Sequence, residues 1–179
     1  VVEFAEEEDS EAQRAARELA LRKSLGAALD GLVEARRAEG ERLEAVLAGQ
    51  LDDIASLTAT ARDQAGAQPE AILARIKEQL AALGEGGIDA DRLAQEAALL
   101  ALKADVREEL DRLEAHVAAA RELLADGTVI GRRLDFLAQE FNREANTLCS
   151  KSSDVELTAL GLELKSTIDR LREQVQNIE

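Results

Sequence analysis

The sequence predicts an all-α protein of long antiparallel helices, a helical hairpin arm followed by a C-terminal helical bundle. Three observations carry that prediction. The 179 residues include a single proline, Pro69. Aromatics are 2% of the chain and Met is absent, so the apolar content is mostly Ala, Leu, Val and Ile, which suits helix–helix packing. Apolar residues recur at three- and four-residue steps, and nowhere is there the alternation of a strand.

The elements follow in order. Val1-Val2-Glu3-Phe4 reads as the tail of an apolar element that begins upstream, and no initiator Met is present. Residues 5–11 are acidic and read as a solvated helix start, where carboxylates favour the positive end of the helix dipole. From residue 9 to 65 nothing breaks a helix decisively. Leu25, Leu29 and Leu32 form one apolar run, and Leu43, Leu47, Leu51, Ile54, Leu57 and Ala61 form another. Between them Arg36 and Gly40 take positions that apolar residues would hold. A bend, or a close approach by another backbone or a ligand, is expected there. Fifty helical residues span about 80 Å at 1.5 Å each, so this segment must kink or project as an arm.

Gly66 to Pro69 is a break, and Pro69 suits a first helical turn. Ile72, Leu73, Ile76, Leu80 and Leu83 mark a four-turn helix that folds back as the second half of a hairpin, ended by Gly84 to Gly87. Asp89 is a suitable N-cap for a helix predicted to run unbroken to about Leu124, through Leu93, Ala97, Leu100, Ala104, Val106, Leu110, Leu113, Val117 and Ala120. Asp126-Gly127 stops it. A shorter helix over about Gly131 to Leu148 turns Leu134, Leu137, Phe141, Ala145 and Leu148 inward. After a polar loop capped by Asp154, a near-heptad stripe of Leu157, Leu160, Leu164, Ile168, Leu171, Val175 and Ile178 reads as a bundle seam. Residues 1–88 are assigned to the arm and 89–179 to the bundle.

The formal net charge of −15 argues against nucleic-acid binding by the chain as a whole, because phosphate repels it. The acid is unevenly placed. Residues 131–179 hold 7 basic and 9 acidic side chains of the 22 and 37 in the chain. No signal peptide and no membrane-length apolar run is visible. The lone Cys149 excludes an internal disulfide and a multi-cysteine zinc site, and fits a reducing cytoplasm.

Two polar stretches are candidates for chemistry. In the first, Asp105, Glu109, Arg112 and His116 are spaced four, three and four, along one helical face. Carboxylates and an imidazole in a row suit a divalent cation, and the only histidine suits general acid–base work. A surface face laced by pairs such as Glu108–Arg112 accounts for the same spacing. In the second, Asp135, Gln139, Asn142 and Asn146 form one ridge and Glu140 and Glu144 another. Two asparagines in a short helix oppose propensity, which points either to hydrogen bonds at a helix crossing or to contact with a ligand. Arg132, Arg133, Arg143 and Lys151 are candidates to meet phosphate. Glycine-loop, Gly-x-Ser-x-Gly and His-Glu-x-x-His motifs are absent.

Segment 131–152, GRRLDFLAQEFNREANTLCSKS, closed by REQVQNIE at 172–179, resembles the C-terminal domain of the bacterial YicC/YloC family. Arg92 to Glu96, Asp105 to His116 and Glu39-Gly40 follow the same pattern. The resemblance implies that an N-terminal α/β domain precedes this helical portion in family members. It also implies a divalent-metal-dependent endoribonuclease, with Mn²⁺ or Mg²⁺, assembled as a ring-like homo-hexamer that encloses RNA. On that basis His116, Glu109, Glu140 and Glu144 are the expected catalytic residues. Asp105, Glu108, Glu109 and Glu140 are the expected metal ligands. Arg112, Arg132, Arg133, Asn142, Arg143 and Lys151 are the expected RNA contacts. The alternative is a non-catalytic helical scaffold that oligomerises or clamps RNA within a larger protein.

Overall fold

The computed structural model describes residues 10–66, 74, 76, 78, 90–127, 129–152 and 154–178. All the elements it describes are helices: α1 (Glu11–Gly66), α2 (Ala90–Lys103), α3 (Arg107–Asp126), α4 (Gly131–Lys151) and α5 (Val155–Val175). The helix expected from Ile72 to Leu83 lies largely outside the described residues, and so do its turns from Ala67 to Pro69 and from Gly84 to Gly87. Two compact units divide the chain, one up to Arg42 and one from Leu43 onward.

In the first unit every described residue is exposed, including Leu25, Leu29 and Leu32 at 53–62%. The apolar run there is real, but nothing described covers it. The stretch from Arg36 to Arg42 is helical throughout, and a Cβ added at Gly40 would meet nothing within 4 Å. Of the two expectations at that glycine, a bend or a close approach, no approach by another backbone is seen among the described residues.

The second unit holds the core. The last turns of α1 bury Leu47, Leu51, Ile54, Thr58 and Ala61. Thr58 satisfies its hydroxyl by donating to the Ile54 carbonyl oxygen at 2.7 Å. Arg121 reaches Asp52 at 2.5 Å, while Arg62 reaches Asp111 at 2.7 Å and Glu114 at 2.9 Å. Partner numbers fall as α1 numbers rise, so α3 packs antiparallel to this part of α1.

The helix predicted from Asp89 to Leu124 is broken, and this is the main correction to the sequence reading. Asp105 Oδ1 accepts from the backbone N–H of Arg107 at 3.0 Å, a local bond that competes with helical pairing. Ala104 and Val106 are buried at this corner, while Leu99, Leu100 and Leu102 before it are exposed. The apolar periodicity passes through the break because the corner itself needs burial.

Gly127, at φ +65°, ends α3 in the left-handed conformation that glycine adopts without strain. α4 and α5 then form an antiparallel hairpin around Phe141, Leu148, Leu157, Leu164 and Ile168, all fully buried. Asp154 caps α5, its carboxylate accepting from Leu157 N–H at 2.9 Å. At Gly161 the two helices approach so closely that an added Cβ would lie 2.5 Å from Cys149 Sγ. Burial in that contact pushes the Cys149 thiol pKa up.

Candidate active site

α3 and α4 lie antiparallel, and a ladder of charged side chains runs along their seam. Glu109, Arg112 and His116 share one face of α3 at offsets of three and four. Glu140 and Glu144 share one face of α4 at an offset of four. The helical period puts each row on one face of its helix, and the antiparallel packing of α3 on α4 brings the two faces to one seam.

At one end Lys151 Nζ donates to Glu109 Oε1 at 2.8 Å and to the Asp105 carbonyl oxygen at 3.2 Å. Glu109 is buried, and its other oxygen has no partner among the described residues. In the middle Arg112 is shared: it pairs with Glu108 one turn back and approaches both oxygens of Glu144 at 3.4 Å. Glu144 is only 2% exposed. At the other end the ligand atoms of His116, Glu140 and Glu144 all lie within 4.8 Å of one another. Arg143 stands 3.6 Å from Glu140. The His116 ring meets Phe141 edge-on, with centroids 5.7 Å apart, and its Nε2 is buried without a hydrogen-bond partner among the described residues.

Two carboxylates and an unsatisfied imidazole nitrogen at one point suit a divalent cation. Burying Glu144 beside Glu140 is costly unless positive charge is near, and Arg112 is already divided between two acids. Ligands on opposite sides of an octahedral ion with 2.1 Å bonds stand about 4.2 Å apart. The observed spread is a little wider, so modest side-chain shifts would close the set.

The expected site residues are thus sorted by the fold. His116, Glu140 and Glu144 come together. Asp105, Glu108 and Glu109 do not join Glu140 in one cluster. Asp105 is bound by Arg107 at 2.5 Å, and the hydrogen bond from that guanidinium lowers its pKa to about 2. Lys151 is committed to Glu109. Asn142 donates to Asp169 on α5 at 2.8 Å and accepts from Asn146 at 3.1 Å, so the asparagines tie helices together. Gln139 donates to Asp135 at 2.8 Å, and Arg172 stands 3.6 Å from the same carboxylate. Arg132 and Arg133 lie apart from these pairs and line an open groove with Phe136. Phe136 was not singled out from the sequence. Its place outside the α4 apolar stripe is the signal that marks it.

Residues 61–179 match the family model described as endoribonuclease YicC-like, C-terminal. The chain is 42% identical over 155 residues to a protein of Haemophilus influenzae named probable endoribonuclease YicC, covering 84% of this chain and 52% of that protein. It is 48% identical over 92 residues to a protein of the same name from Clostridioides difficile, covering 51% of this chain and 31% of that one. The chain therefore spans about half the length of the first relative and under a third of the second. Its matched segment begins within α1 and includes every residue of the ladder, and on that match the chain belongs to the YicC-like endoribonuclease family.

Proposed function

We propose that this chain carries the catalytic surface of a divalent-metal-dependent endoribonuclease. The convergence of His116, Glu140 and Glu144 on the α3–α4 seam is the observation that carries the proposal. Those three residues are the proposed metal ligands. A bound Mn²⁺ or Mg²⁺ would supply Lewis-acid activation of water and neutralise charge at the scissile phosphate. Arg112 positions Glu144, and the Lys151–Glu109 pair fixes the register of α3 on α4. Arg143, beside Glu140 and largely exposed, meets the phosphate that reacts, and Arg132 and Arg133 meet phosphates further along the seam. Relative to the roles inferred from resemblance, Arg112, Lys151 and Asn142 become positioning residues, and Asp105, Glu108 and Glu109 leave the metal set.

Self-association belongs to the same proposal. The exposed Leu25, Leu29 and Leu32 support contact with further copies of the chain, in the six-fold ring implied by resemblance. No described helix is long and apolar enough to cross a membrane. A reducing cytoplasm suits the unpaired Cys149.

The test is cleavage of a hairpin RNA by the purified chain with Mn²⁺, with Mg²⁺ and with chelator. Metal-dependent cleavage that disappears in His116→Ala and Glu140→Gln, with helicity intact, is the expected result. Equal background cleavage in every tube, together with a defined oligomer by light scattering, would favour the non-catalytic scaffold instead.

A further inference from the structure

A groove of about 800 Å³ opens between the end of α3 and the start of α4. Phe136 lines it and is 60% exposed. Five residues on, Phe141 is fully buried in the core. The same helix thus buries one phenylalanine and leaves the other ring in solvent. Arg132 and Arg133 line the groove with it, and neither side chain has an ion pair or hydrogen bond among the described residues. Leu123 and Leu137 supply apolar walls.

The groove lies one helical turn from the cluster of His116, Glu140 and Glu144. Phe136 precedes Glu140 by one turn of α4, about 6 Å along the axis. Ala119, which also lines the groove, follows His116 by one turn of α3. Both walls therefore come within one helical turn of His116 and Glu140.

An open aromatic face beside two uncommitted guanidinium groups has the chemistry of a nucleotide platform: the ring stacks a base and the arginines bind phosphate. Glu122 and Asp126 also line the groove. Their charge disfavours a continuous run of phosphates, and carboxylates accept from the amino groups of bases. An unpaired nucleotide satisfies both conditions, whereas a duplex offers only its backbone and paired edges.

We infer that this groove is a nucleotide subsite, in which Phe136 stacks the base of an unpaired nucleotide next to the scissile phosphate while Arg132 and Arg133 hold its own phosphate. The inference rests on the endoribonuclease reading and adds the form of RNA that reading requires, a single-stranded segment at the point of cleavage.

The experiment uses binding in chelator, so that no cleavage intervenes. The chain has no Trp, so Phe136→Trp places a single indole in the groove. A single-stranded RNA ten-mer of mixed sequence should quench that indole, and the same sequence as a duplex should leave it nearly unchanged. Phe136→Ala should weaken binding of the ten-mer about ten-fold to a hundred-fold. Arg132→Ala with Arg133→Ala should weaken it further and flatten its salt dependence. Indole emission unmoved by the ten-mer, wild-type affinity in Phe136→Ala, or a changed oligomeric state with unchanged RNA affinity would each overturn the subsite. The endoribonuclease reading is judged separately, by wild-type cleavage with Mn²⁺. A chain that binds through Phe136 but never cleaves sinks that reading alone. One that cleaves as well in Phe136→Ala sinks the subsite alone.

Discussion

Lys151 Nζ sits 2.8 Å from Glu109 Oε1, and this contact joins the end of α4 to the start of α3. Glu109 is buried while Lys151 keeps 33% of its side chain exposed. The acid thus depends on the lysine more than the lysine depends on the acid. Lys151→Met should cost about 2–3 kcal/mol, somewhat less than the 3–5 kcal/mol of a fully buried pair, because it strands the Glu109 charge. Adding Glu109→Met should recover most of that loss. Urea unfolding of the two single variants and the double variant measures the coupling. A double variant that binds RNA normally would establish Lys151 as a positioning residue. One that is restored in stability but has lost RNA affinity would return Lys151 to the phosphate contacts.

Asp105 predicts a pH dependence of known sign. Its carboxyl is held at about 2 by the Arg107 guanidinium, below its ordinary value of 3.8. A depressed carboxyl stabilises the fold while ionised, so the contribution is present above pH 4 and is lost as pH falls toward 2. Solvent screening of this surface pair keeps the effect small. Asp105→Asn retains an acceptor for the Arg107 N–H but lacks the charge. The stability gap between wild type and Asp105→Asn should be open at pH 6 and should close between pH 4 and pH 2 in denaturant titrations. A gap that stays constant across this range would show that the Arg107 pair contributes nothing.

The Asp105 corner also marks the limit of what the sequence discloses. Helix type, the spans of α4 and α5 and the cap at Asp154 follow from periodicity and capping chemistry, both of which are local. The break before α3 does not, because Ala104 and Val106 are apolar for the sake of a buried corner and so continue the helical stripe. In the candidate site the spacing of Glu140 and Glu144 places both on one face of α4. Spacing cannot say that His116, rather than Glu109, meets them across the seam. That depends on the antiparallel register of α3 and α4. The same register gives Lys151 to Glu109 and leaves the Arg132 and Arg133 side chains without partners among the described residues, although all three read alike as basic residues in a near-neutral stretch. At Gly40 the sequence points to a bend or a close approach, and among the described residues a helix runs through the position with open space beside it.

Gly161 offers a test of the α4–α5 crossing. Alanine in an open helix interior gains about 1 kcal/mol over glycine. Here the new methyl would lie 2.5 Å from Cys149 Sγ and 2.9 Å from Leu148 Cδ2. Gly161→Ala should therefore destabilise by about 1–3 kcal/mol, as overpacking does. Cys149→Ala removes the nearer obstacle and should recover part of that cost in the double variant. Thermal denaturation of the four proteins measures it. A Gly161→Ala chain more stable than wild type would show that the helices separate at little cost.

Stability and metal response should part company at Glu144. With no cation bound, its carboxylate is buried near Glu140 and has only a shared arginine for compensation. Glu144→Gln removes that repulsion, so the metal-free variant should be no less stable than wild type, and as much as about 1 kcal/mol more stable. With Mn²⁺ in excess the order should reverse. A ligand at a hundred times its Kd adds about 2.7 kcal/mol to the form that binds it. Wild type should gain this stabilisation, and chelator should remove it. Glu144→Gln, Glu140→Gln and His116→Ala should gain little. Melting curves with and without Mn²⁺ decide the matter. If all four proteins shift equally, the cation is binding elsewhere on this acidic chain. If the variants lose the shift while wild type keeps it, a destabilised site has been retained for the cation it holds.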